Sequence, residues 1–282
     1  MQNIVIPNQR KLDEKIQAIR EAGPDSLHIL SDFDRTLIKA YVNGKKIWSL
    51  LAIMRDNDCL SPDYSRQAKK LAAHYYPIEK DANVPLAERK RLMLEWWSKH
   101  FELLIASGLS QNDIKQAISS SQIELRDGTE TFFESLDTHN IPLVIMSASG
   151  IGDDAISQFL ASKNLLTKNV HLISNRIRWD SQGKAIGVHQ PIIHSLNKDE
   201  TIIQNFPVYK EVKNRKNVIL LGDFIDDIGM VQGFEYTNLI SVGFLNEDTS
   251  KHLPEYRKYF DVIITDDGPM EYINKLLADV LQ

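Results

Sequence analysis

The chain has 282 residues, 43% of them hydrophobic and 25% charged, a balance that excludes a disordered or fibrous polymer and fits one sizeable core with a smaller module, or two domains. A formal net charge of -5 and a pI near 5.9 exclude a global attraction to nucleic-acid polymers or anionic membranes, so an anionic ligand must be met by a metal, a lysine or backbone amides. The single cysteine, Cys59, rules out an intramolecular disulfide and a thiolate metal cluster. With no run of about 18 consecutive apolar residues and no long apolar run behind the basic residues of the N-terminus, the expectation is a cytoplasmic protein.

In chain order, a polar helix is predicted over Lys11–Glu21, punctuated by Gly23 and Pro24, and followed by the apolar run Leu27–Leu30 that ends in Asp32-Phe33-Asp34. Between Trp48 and about Leu125 the pattern changes to helices, at Pro62–Tyr75, Leu86–Ser107 and Asn112–Ser120, with no strand between them. Short strand-like runs then recur at Pro142–Met146, Val170–Ser174, Asn217–Leu221, Leu239–Phe244 and Asp261–Thr265, separated by helical stretches. The expectation is an α/β fold with a parallel sheet covered on both faces. Its core is formed by residues 1–44 and 126–282, and an inserted all-helical module spans 45–125.

Side chains on a strand alternate, so Asp32 and Asp34 project to one side at a strand's carboxyl end, where open parallel sheets bind ligands. Two carboxylates that close need a cation or a shared proton, and Mg2+ with a phosphate ligand meets that need. The second acidic cluster, Gly222-Asp223-Phe224-Ile225-Asp226-Asp227, also follows an apolar strand. Asp223 is expected to complete the metal's carboxylate shell, and Asp227 to order a metal-bound water or a lysine. Ser147 ends a third strand, and Ala148-Ser149-Gly150-Ile151-Gly152 is small enough for backbone amides to approach an anion. Alone, that pattern reads as a turn, and Lys198 alone reads as a surface charge.

Asp-x-Asp-x-Thr, the strand-end serine, the lysine and Gly-Asp-x-x-x-Asp, in this order, resemble the haloacid dehalogenase superfamily of phosphatases. The resemblance is closer to their pyrimidine 5'-nucleotidase family, the branch similar to cytosolic 5'-nucleotidase III. It is carried by Tyr75-Tyr76-Pro77-Ile78-Glu79, Glu95-Trp96-Trp97-Ser98-Lys99-His100, His139-Asn140-Ile141-Pro142, Gly150-Ile151-Gly152-Asp153, Asn197-Lys198 and Ile219-Leu220-Leu221-Gly222-Asp223. It implies a Rossmann-like core with a helical cap, and a Mg2+-dependent phosphohydrolase acting on nucleoside 5'-monophosphates, pyrimidine ones by preference. By resemblance, Asp32 is the nucleophile that becomes an aspartyl phosphate and Asp34 the general acid and base. Asp32, the Asp34 carbonyl and Asp223 hold magnesium, Ser147, Ala148 and Lys198 bind phosphate, and Glu95 faces the nucleobase.

The sequence departs from that pattern at Arg35, where an apolar residue is usual, at the extra Ser149, and at Phe224-Ile225-Asp226. Either Ser147 or Ser149 faces the phosphate, and Ser147, ending the strand, is the expected one. Trp96 and Trp97 cannot share one helix face, which favours core packing for at least one. His74, His100 and His194 read as polar surface or cap-packing residues, because magnesium prefers oxygen and they share no short motif. Tyr75 and Tyr76 are expected to brace the cap, whose hinges are expected at Lys39–Lys45 and Glu124–Gly128. The alternatives are a phosphatase for phosphoserine or a sugar phosphate, or a non-catalytic binding protein on the same scaffold. The partner is expected to be a small phosphate ester, and the chain a monomer.

Overall fold

The computed structural model describes residues 3–47, 49–56, 60–81, 83–198, 203–232 and 235–282; Trp48 and Cys59 lie outside the described residues. After the edge strand β1 (Ile4–Val5), helix α1 (Gln9–Ala22) begins where the Asn8 side chain accepts the Lys11 N–H and stops at Gly23, whose φ is 78°. Strand β2 (Leu27–Ser31) is buried at all its residues, as a strand covered on both faces must be. A hairpin follows, β3 (Tyr41–Val42) and β4 (Lys45–Lys46). It turns through Asn43 and Gly44 at φ 51° and 73°, the positive-φ pair that a two-residue hairpin loop demands. Gly44 therefore makes a tight turn.

Four helices come next, α2 (Leu50–Asp56), α3 (Pro62–Lys80), α4 (Leu86–Ala106) and α5 (Gln111–Ser120). Ser61 caps α3 by accepting the Tyr64 N–H, and Ser110 forms a reciprocal capping box with Asp113 at the start of α5. Helix α3 runs on through Pro77 to Lys80, past the end that the sequence predicts at Tyr75. The α/β pattern then resumes with α6 (Thr129–Thr138), β5 (Leu143–Met146), α7 (Asp153–Ser162) and β6 (Val170–Ile173). An antiparallel hairpin, β7 (Ile177–Trp179) and β8 (Ala185–Val188), leads to the short α8 (Tyr209–Val212), β9 (Asn217–Gly222) and a 3-10 segment at Ile225–Val231. The chain ends with β10 (Asn238–Leu245), α9 (Thr249–Tyr259), β11 (Val262–Thr265) and α10 (Glu271–Leu281).

Among the described residues, seven strands form the main sheet in the order β1-β11-β10-β9-β2-β5-β6, parallel throughout except for β1 against β11. Alternate residues feed two cores. Leu27, Ile29, Leu143, Ile145, Ile219 and Leu221 face α1, α6, α7 and α10, while Leu30, Val144, Val218 and Leu220 face α8 and α9. Each such aliphatic side chain contributes roughly 1.5–3 kcal/mol on burial. The first core continues without a break into the helical insertion through Tyr64, Trp96, Phe101 and Ile114. Strand β2 lies between β5 and β9, with Ser31 level with both Ile145 and Leu221, so the residues that follow these three strands emerge side by side.

Candidate active site

Asp32 leaves β2 with its N–H still donating to the Leu221 carbonyl, 2.9 Å, so the ladder with β9 fixes its backbone to the last atom. The chain then turns tightly: the Phe33 carbonyl accepts from Leu37, 3.1 Å, and the Phe33 ring packs edge-on against Phe159. Asp34 is carried into the cavity, where its carboxylate accepts the Leu50 N–H, 3.1 Å, at the first turn of α2. Asp223 follows β9, and its carbonyl accepts from the Tyr256 hydroxyl at 2.5 Å. Asp227, in the 3-10 segment, is 3% exposed and accepts the Phe224 N–H at 2.9 Å.

Lys198 joins these elements. Its Nζ donates to Asp32 Oδ1 at 2.6 Å and lies 2.8 Å from Asp227 Oδ1. Oxygens of Asp32, Asp223 and Asp227 all fall within 4.8 Å of one another, the one such group among the described residues. The sequence placed Asp227 in support of a lysine or a metal-bound water, and the structure brings it level with Asp32 and Asp223. Four carboxylates, counting Asp34, here meet two cations, Lys198 and Arg35. The excess negative charge and the all-oxygen donor set fit a small divalent cation.

Burial pushes Asp32 up to about 6, against the pull of Lys198. It pushes Asp34 up to about 7, with the charge of Asp32 adding to the effect, and Asp223 up to about 8, opposed by Arg35. Burial also disfavours the Lys198 charge, but Asp227 and Asp32 outweigh it and keep the ammonium protonated.

These groups form the floor of a cavity of about 460 Å³. Ser147, Ala148 and Gly150 border it; the Ser149 hydroxyl accepts the Ile151 N–H at 3.4 Å and its carbonyl accepts from Asn175 Nδ2 at 3.0 Å. The Ser147 N–H donates to the Ile173 carbonyl, 3.0 Å, in the ladder with β6. Trp96, Trp97 and Tyr76 form an aromatic wall. Both tryptophans reach the cavity although they are adjacent on α4, because their rings meet edge to face at 4.7 Å and Trp96 stacks on Tyr75 at 5.8 Å. Tyr76, expected only to brace, is part of that wall.

Glu95 is not brought to this cavity. About 100° round α4 from Trp96, it lies in a shallow groove on the outer side of α3 and α4, held by the Tyr75 hydroxyl at 2.8 Å and by Lys99 at 2.6 Å. The acidic group from the insertion that does border the cavity is Glu79, which accepts from the Ser195 hydroxyl three residues before Lys198. Its signal was present in Tyr75–Glu79, but helical phase could not be read there because α3 was ended before Pro77.

None of the three histidines belongs to the metal-competent group. His100 lies 2.9 Å from the Gly150 carbonyl, and His194 accepts the Leu196 N–H. In the expected hinge at Glu124–Gly128, Arg126 is buried and donates to the carbonyls of Thr36, Arg35 and Gly268, 2.7–2.9 Å, while its guanidinium lies over Phe244. In the other expected hinge, the N–H groups of Ala40 and Tyr41 donate to Asp267.

A family model described as pyrimidine 5'-nucleotidase (UMPH-1) matches residues 35–281. The chain is similar to the 7-methylguanosine phosphate-specific 5'-nucleotidases of Gallus gallus, 33% identical over 94% of this chain and 92% of that one, and of Homo sapiens, 33% identical over 96% and 90%. Among solved structures it is similar to cytosolic 5'-nucleotidase IIIB bound to cytidine, with TM-score 0.91 and 30% identity over 99% of this chain and 94% of that one. A phosphoserine phosphatase, at TM-score 0.53 and 17% identity over 88% and 97%, shares the fold.

Proposed function

We propose that this chain, which belongs to the pyrimidine 5'-nucleotidase family, hydrolyses nucleoside 5'-monophosphates with Asp32 as the nucleophile. The observation that carries this reading is Lys198 bridging Asp32 and Asp227, at 2.6 and 2.8 Å, on the floor of an aromatic-walled cavity. The haloacid dehalogenase fold of a phosphoric monoester hydrolase supports it.

In the first step an Asp32 carboxylate oxygen bonds to phosphorus as the ester P–O bond breaks. Asp34, held near 7 and so able to carry a proton at neutral pH, gives it to the leaving ribose oxygen. In the second, Asp34 takes a proton from the water that attacks the aspartyl phosphate, which releases inorganic phosphate and restores Asp32. Lys198 and the Ser147 hydroxyl donate to the phosphoryl oxygens, where charge accumulates, and Asp227 aims the lysine. Asp32, Asp223 and the Asp34 carbonyl would hold Mg2+, which when bound offsets the charge of the phosphate. Residues 45–125 act as the cap over a core made of 1–44 and 126–282, and Trp96, Trp97 and Tyr76 receive the base.

A second reading concerns the base alone. Two tryptophans and a tyrosine facing a cavity that also exposes Glu79 and Asp226 suit a large, positively charged base such as 7-methylguanine as well as a pyrimidine. Phosphatase assays with CMP, UMP, 7-methyl-GMP and phosphoserine in the presence of Mg2+ decide between them. Hydrolysis of phosphoserine as fast as of every nucleotide would sink the nucleotidase reading. Asp32→Asn is expected to abolish turnover of all four, and activity retained in that folded variant would remove Asp32 from the role.

A further inference from the structure

The resemblance treats Arg35 as a departure, and the structure shows what occupies its place. Arg35 adopts φ 60°, a left-handed backbone that disfavours any residue with a Cβ. It is held there because its carbonyl accepts from Arg126 at 2.7 Å and from Asn246 Nδ2 at 3.0 Å. The side chain is thereby committed to the cavity. Its guanidinium, 11% exposed, is 2.9 Å from Glu247 Oε1 on one side, and its Nε is 3.6 Å from Asp223 Oδ2 on the other. Glu247 is itself fixed by Lys46 and by the Tyr41 hydroxyl at 3.2 Å, so Arg35 is anchored from behind and its charge faces the carboxylate cluster.

We propose that Arg35 is a built-in counter-ion of this cluster: it holds Asp223 among the other carboxylates before a metal binds, and it then opposes the metal, so that this chain takes its divalent cation more weakly than its carboxylates alone would allow. The inference rests on the reading of the cluster as a metal site. Its physical basis is twofold. Without a nearby cation, Asp223, once ionised, faces Asp32 and Asp227 within 4.8 Å, a repulsion that destabilises the metal-free fold. With a divalent ion at the same oxygens, a guanidinium at that distance is repelled in a partly buried site where screening is weak.

The test is Mg2+ titration of the full-length protein, stripped with EDTA, by calorimetry and by thermal melting, in wild type, Arg35→Met, Arg35→Gln and Lys46→Met. Metal-free Arg35→Met is expected to melt lower than wild type, to bind Mg2+ with a dissociation constant about tenfold smaller, and to gain more from the metal on melting. Arg35→Gln carries the same expectation if Arg35→Met does not fold. Lys46→Met removes an equal charge that pairs with Glu247, and is expected to change the affinity less than about twofold. Unchanged or weaker Mg2+ binding in a folded Arg35 variant overturns the proposal, and so does equal tightening by Lys46→Met. If wild type and variants alike bind no Mg2+, the metal site itself is refuted and the counter-ion falls with it.

Discussion

Asp32 and Asp34 are two residues apart, Asp32 buried and Asp34 half-buried, and what each touches sets their proton affinities apart. Lys198 keeps the Asp32 carboxylate charged at neutral pH, whereas Asp34 accepts a single backbone hydrogen bond, feels the charge of Asp32 and holds a proton near 7. The serines separate as clearly. Ser147→Ala is expected to lower kcat/KM about tenfold, the worth of one hydrogen bond to a charged oxygen, while Ser149→Ala changes it less than about twofold. Steady-state kinetics on the preferred nucleotide distinguishes them, and equal losses would contradict the assignment. The strand-end residues were legible because strand alternation aims them. Where Glu95 lies relative to the cavity is not legible, because it depends on which face of α4 the core selects, and that is not written locally.

At the scale of elements, the crossovers between the α/β sheet and the helical insertion are fastened. Arg126 donates to three backbone carbonyls, to Asn246 and to Asp267 with none of its side chain exposed, and it joins the loop after β2 to the loops after β10 and β11. Burial lowers its pKa to about 10, so it stays charged. Arg126→Met would leave those carbonyls and Asp267 buried without their partner, and the expected cost is about 3–5 kcal/mol. Urea unfolding measures it, and a loss below about 1 kcal/mol would show that the clamp is dispensable. A pivot at Arg126 would have to break these bonds. Of the insertion's helices, α3, α4 and α5 are legible in the sequence by their period, and the shorter α2 is not. The hairpins β3–β4 and β7–β8 are not legible in the sequence: β3, β4 and β7 are too short to display alternation, and β8 depends on β7 for its pairing.

Across the whole molecule, stability and the site are linked through charge. Burial raises Asp34 to about 7 and Asp223 to about 8, so the folded chain binds more protons than the unfolded one at neutral pH. The stability these groups contribute is full below their unfolded pKa near 4 and is lost as pH rises through the folded values. His28 and His100, lowered by burial to about 3 and about 4, act in the opposite sense, but only below their unfolded value of 6.5. Between pH 6.5 and 8 the carboxylates decide: the melting temperature in EDTA is expected to fall as pH rises, and added Mg2+ to restore it most at pH 8. Differential scanning calorimetry at those two pH values checks both expectations, and a flat or rising profile in EDTA would contradict them.

The sequence by itself determined the α/β class, the strand ends bearing Asp32, Asp223 and Ser147, and the helical character of the insertion, because each is encoded by period and residue type within a short window. Only the tertiary structure decided that Asp227 shares the cluster with Asp32 and Asp223, that Glu79 borders the cavity while Glu95 does not, and that Arg35 is anchored to Glu247, 212 residues away, and turned towards Asp223. Those pairings arise from strand register and helix packing, which bring distant segments to one point and leave no local mark on any of them.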